Sequence, residues 1–159
     1  MALSPTDAEI RTALASAITT AAPLAKVFPW WALGAEEQNW PGYLRSDSDT
    51  DSAGKKRVHG YVITRSQSTG EDLGTRCVRR SFQYTIFGFH YYATGTTETG
   101  SETAFAAEID AITDALDNRA TLDAALARIQ PITWAFDLKS YGGELLHIGR
   151  GLVTVQACY

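Results

Sequence analysis

Cysteine is scarce in this chain, with Cys77 and Cys158 the two among 159 residues. A disulfide scaffold is excluded as the source of stability. Both cysteines fall in strand-like runs far apart in sequence and read as reduced, half-buried thiols of a cytoplasmic protein, with a strand-to-strand disulfide as the alternative. Long apolar runs are also missing: no stretch approaches the ~20 apolar residues of a membrane span. Met1 to Asp7 has neither a basic region nor an uninterrupted apolar core, so the expectation is a chain that is neither exported by a signal peptide nor inserted.

Catalytic and metal-binding signatures are equally thin. His59, His90 and His147 each stand alone on a predicted strand, without a His or Cys partner at metal spacing. There is no Gly-x-Ser-x-Gly elbow, no phosphate-cradling Gly-Lys-Ser/Thr loop and no dinucleotide fingerprint. Ser52 to Lys55 matches the Ser-x-x-Lys pattern, but in the least helical part of the chain, where the two side chains do not stand one turn apart. Asp47, Asp49 and Asp51 mimic the opening of a calcium loop, yet Ser52 replaces the turn glycine and Val58 the bidentate glutamate. The residues therefore predict no enzyme, no metal and no cofactor.

Net positive charge is lacking too, the formal total being -4, but the charge is unevenly spread. Gly54 to Arg80 carries seven basic residues against two acidic ones, +5 in all, which leaves the rest of the chain at -9. With no basic excess and no helix-turn-helix or RNA-binding aromatic motif, sequence-specific nucleic-acid binding is not expected. The basic segment reads either as a solvated strand face or as a face that meets the acidic surface of a neighbouring subunit.

What is present is a pattern of elements in a chain long enough for one domain, 1–159. Ser4, Pro5 and Asp7 are a helix start, and Ile10, Leu14, Ala17, Ile18 and Ala21 form one apolar stripe before Pro23. Leu24 to Tyr43 holds Trp30, Trp31 and Trp40, read as a loop or short helix pinned by its rings, or as a contact for a partner. Arg45 to Lys56, rich in Ser and Asp, reads as a flexible loop. Val58 to Ser66 and Arg76 to Tyr92 read as a long hairpin turning near Gly70 and Gly74, with a bend at Gly88. Ser101 is placed to cap a helix with Phe105, Ile109, Ile112 and Leu116 on one stripe and Glu108, Asp110 and Asp114 off it. A shorter helix through Leu122, Leu126 and Ile129 follows, ended by Pro131. Ile132 to Leu138 and Leu145 to Ala157 make a closing hairpin about Gly142 and Gly143, with a bulge or face switch near Gly149 to Gly151. The expected fold is α+β, a mainly antiparallel sheet of about four strands with helices on one face, in helix-hairpin-helix-hairpin order.

This arrangement resembles the tail terminator, or tail completion, proteins of long-tailed bacteriophages and related gene-transfer particles. The likeness lies in the N-terminal helix, the long hairpin, the Phe105-x3-Ile109-x2-Ile112-x3-Leu116 helix and the closing strands with Trp134-Ala-Phe136 and Leu146-His-Ile148. It implies a structural virion protein, assembled in the host cytoplasm, that forms a ring, typically a hexamer, at the head-proximal end of the tail. Its implied partners are further copies of itself, the tail tube protein and a head-tail connector or neck protein, with DNA passing through the ring. Arg76, Arg79 and Arg80 of the hairpin would then meet Glu108, Asp110 or Asp114 of an adjacent subunit. Two alternatives stand beside it: another connector or neck protein, and a cone-shaped fold holding an apolar ligand or substrate. In the last, Tyr84, Phe87, Phe89, Tyr91, Trp134 and Phe136 would line the pocket and His90 or Asp137 would be the acid-base group.

Overall fold

The computed structural model describes residues 5–74, 78–93, 98–117 and 127–158. The first helix, α1 (Asp7–Ala21), is capped by Thr6, whose hydroxyl accepts the Glu9 N–H while the Glu9 carboxylate accepts the Thr6 N–H. This reciprocal pair satisfies two orphan donors. The cap falls two residues after the expected Ser4, which lies outside the described residues. Ile10, Leu14, Ala17 and Ile18 are buried as their spacing requires.

Seven strands follow in one sheet: β1 (Lys26–Phe28), β2 (Arg45–Thr50), β3 (Lys56–Asp72), β4 (Val78–Tyr91), β5 (Ala127–Ile129), β6 (Thr133–Tyr141) and β7 (Glu144–Cys158). A one-turn helix, α2 (Trp40–Tyr43), precedes β2, and α3 (Glu98–Asp117) separates β4 from β5. The central path is β3-β4-β7, antiparallel throughout. The outer edge of β3 is shared by β1, parallel to Gly60–Val62, and β2, antiparallel near Val58. The outer edge of β7 is shared by β6 and β5. The sheet is therefore mixed and seven-stranded, which corrects the expected four antiparallel strands. The three additional strands are short, and their periodicity is lost in three to six residues.

Several local readings change with it. Arg45–Thr50, expected to be a flexible loop, pairs with β3 as β2, because backbone bonding to an open edge needs no apolar side chain. Ile129, expected on a helix, belongs to β5, while Leu122 and Leu126 lie outside the described residues. Helix α3 starts at Glu98, so Ser101 sits within it rather than capping it. The hairpin keeps its pairing through Gly88, opposite Tyr61, and its one register shift is in β3, between Arg65 and Gln67. The Gly142-Gly143 turn has φ values of 55° and 81°, both in the region where glycine is favoured.

Both faces of the sheet are covered. On one, α1 and α3 enclose Tyr61, Ile63, Phe82, Tyr84, Ile86, Val153 and Val155. On the other, Leu33, Leu44 and the half-buried Phe28 and Trp40 enclose Val62, Phe89, Leu146 and Ile148. This explains the two apolar parities of β7, which was expected to bulge. Its register with β4 is unbroken from Leu146 to Cys158, and even and odd residues feed different cores. Burying each such side chain contributes ~1.5–3 kcal/mol.

Candidate functional site

Strand register brings the three separate histidines together. His59 of β3 pairs with His90 of β4, and His90 pairs with His147 of β7, so the three stand abreast beneath α3. The ring centroids are 4.7 Å apart for His59 and His90 and 6.4 Å for His90 and His147. A hairpin whose arms end at Asp72 and resume at Val78 places His59 and His90 opposite one another, and that was the signal available in the sequence. His147 has no such local clue, since its position depends on a long-range pairing.

His59 is held between two carboxylates from different elements. Its Nδ1 lies 2.7 Å from Asp49 Oδ2 on β2, and its Nε2 lies 2.8 Å from Glu108 Oε1 on α3. Tyr61 donates its hydroxyl to the same Glu108 oxygen. Burial would lower the His59 pKa, but the hydrogen bonds and charges of Glu108 and Asp49 overcome it, and the pKa is raised above the ordinary histidine value. Burial, reinforced by the Glu108 charge, pushes the Tyr61 phenol well above its usual value. His90, also buried, is held down to about 4 by desolvation and then by the neighbouring His59 charge. Its Nδ1–H donates to the Tyr91 carbonyl at 3.0 Å. The row thus joins an imidazole whose protonated form the two acids favour to one whose neutral form burial favours. With both His59 nitrogens occupied and His59 3% exposed in its side chain, this arrangement ties β2 and α3 to the sheet.

The far end of the row opens to solvent. His147, whose pKa burial lowers, meets the Ser101 hydroxyl at 3.2 Å, and Ser101 also accepts the Ala93 N–H at 3.3 Å. Beside it lies a cleft of about 500 Å³ between α3 and β6, walled by Tyr92, Phe105, Phe136 and Leu138, with the exposed Glu102 on α3 and, at the strand edge, Asp137, whose carboxylate accepts the Leu138 N–H. Phe136 is 61% exposed and Leu138 46%.

The aromatic residues expected to line one pocket divide between the two faces. Tyr84, Trp134 and Phe136 lie on the helix side and Phe87 and Phe89 on the other, so they enclose no common cavity. His90, expected as an acid-base group, is 3% exposed and lies against the Phe105 ring. Asp137 does line the cleft.

Of the expected interface residues, Arg76 is outside the described residues. Arg79 pairs with Glu71 across the hairpin at 3.7 Å, and Arg80 is exposed on the opposite face of β4. Asp110 and Asp114 are exposed on α3, but Glu108, expected beside them on the acidic face, turns inward to His59. The tryptophans separate similarly. Trp40 stacks on Tyr141, donates its Nε1–H to the Gly34 carbonyl at 2.8 Å and meets Trp31 edge-on, so both help to roof the second core. Trp30, 61% exposed, projects from it. Asp47, Asp49 and Asp51 diverge to Lys56, to His59 and to the Ala53 and Lys55 N–H groups. No helix among the described residues is long and apolar enough to cross a membrane.

No protein-family model matches the chain, and no curated protein matches it.

Proposed function

We propose that the chain is a structural subunit that assembles head to tail into a closed ring, and that this ring is the tail terminator of a long-tailed bacteriophage or a related gene-transfer particle. The observation that carries the assembly part is the outer edge of β6. Among the described residues no strand pairs with it, and it runs nine residues, Thr133–Tyr141, beside the exposed Phe136 and Leu138. An open apolar edge is a site for association unless it is covered. For a ring, this edge meets a different surface of the next copy, a heterologous contact that closes when the rotation allows. The likeness in element order to tail terminators supplies the biological setting, in which the ring seats on the tail tube and receives the neck.

Purified protein mixed with tail tubes and imaged in negative stain tests this reading. Rings seated at one end of each tube are expected. A monomer that leaves tubes bare and takes an apolar small molecule into the cleft would replace the proposal with a ligand-binding function.

A further inference from the structure

The cleft and the tip of the β3-β4 hairpin occupy opposite ends of the sheet. His147, at the cleft, pairs with His90 near the end of β4, whereas Val78 begins that strand. At ~3.3 Å per residue the two ends are roughly 40 Å apart. The hairpin tip therefore has no route to the cleft of its own molecule.

Its chemistry nevertheless matches the cleft. Every residue of β3 from Arg65 to Asp72 is exposed, and two apolar side chains, Leu73 at 42% and Val78 at 37%, stand out in this polar stretch. Arg80, two residues on from Val78, shares its face of the strand, and Arg79, half-buried and paired with Glu71, lies on the other. The cleft offers aromatic and aliphatic walls for the apolar pair and, for the guanidinium groups, the exposed Glu102 on α3 with Asp137 at the strand edge. Asp110, one turn beyond the cleft residue Ala106, continues the acidic flank along α3.

Resting on the ring reading above, we infer that the hairpin tip of one copy, led by Leu73 and Val78 with Arg79 and Arg80 behind them, docks in the Phe136-Leu138 cleft of the next copy. The joint uses two unlike surfaces at opposite ends of the subunit, which makes it directional. The apolar pair supplies desolvated contact, and the charges fix which end meets which.

Four variants test it by light scattering and negative stain at concentrations where the native chain forms rings. Val78→Asp and Phe136→Asp each replace an exposed apolar side chain, so folding is retained and rings are lost. Arg79→Glu with Arg80→Glu raises the concentration needed for assembly by tenfold or more, as does Glu102→Arg with Asp137→Arg. Combining the two reversals in one chain restores assembly. Rings that survive Val78→Asp or Phe136→Asp, or reversals without mutual rescue, overturn the docking while leaving the ring intact. A native chain that is monomeric at every concentration overturns the ring reading itself.

Discussion

Both carboxylate oxygens of Glu108 lie within 2.9 Å of His59 Nε2, although the two residues are 49 positions apart in the chain. With Asp49 at the other ring nitrogen, this contact fixes the height and rotation of α3 over the sheet, and therefore the position of the cleft wall that α3 provides.

Glu108→Gln leaves His59 paired with Asp49 but removes the second carboxylate from its ring and the charged acceptor from the Tyr61 hydroxyl. It is expected to cost ~1.5–3 kcal/mol, the range for a hydrogen bond to a charged group. Its pH dependence has a definite sign. Because folding raises the His59 pKa, its contribution is complete below the unfolded-state pKa and is lost as pH rises through the folded value. Urea titrations of native and Glu108→Gln protein should differ most near pH 6 and converge at alkaline pH; a constant difference would show that His59 carries no charge.

His90 acts in the opposite direction. Folding lowers its pKa to about 4, so the unfolded chain binds the extra proton and native stability declines as pH falls from ~6.5 to 4. The maximum loss from this group is ~3 kcal/mol, at 1.36 kcal/mol per pKa unit. His90→Gln should flatten that part of the acid limb, while an unchanged profile would place the acid sensitivity elsewhere.

Gly88 makes room for the Tyr61 ring. A Cβ there would lie 2.6 Å from Tyr61 Cε1, and Tyr61 is fully buried with its hydroxyl on Glu108. Gly88→Ala is expected to destabilise by ~1–3 kcal/mol through overpacking, measured by thermal or urea unfolding. A neutral result would mean that the ring shifts freely.

The tryptophans should differ sharply. Trp40→Ala removes a ring packed on Tyr141, Phe89 and Trp31 and should cost ~3 kcal/mol. Trp30→Ala alters an exposed side chain and should fall within ~0.5 kcal/mol. Equal losses would contradict the roofing role of Trp40.

The long periodic elements were legible in the sequence: the α1 stripe, the Phe105 to Leu116 stripe, and the glycine turn between β6 and β7. What was hidden depended on pairing across distance. Strand β2 is polar and reads as a loop because its backbone bonds, rather than its side chains, hold it to β3. The double parity of β7 reads as a bulge until a second core beneath the tryptophan segment gives its even residues a place to pack. Glu108 reads as one more acid on an exposed helix face, and only the register that sets His59 beneath α3 shows why it turns inward.

The mass of the purified chain in solution, followed by light scattering as concentration rises at low and at high salt, tests the central claim most directly. The account predicts growth from a monomer to one closed ring of fixed mass, with assembly shifted to higher concentration by salt, because charges beyond about 8–10 Å are screened at physiological ionic strength. A monomer that persists at every concentration and salt, or a mass that stops at two copies, would contradict it.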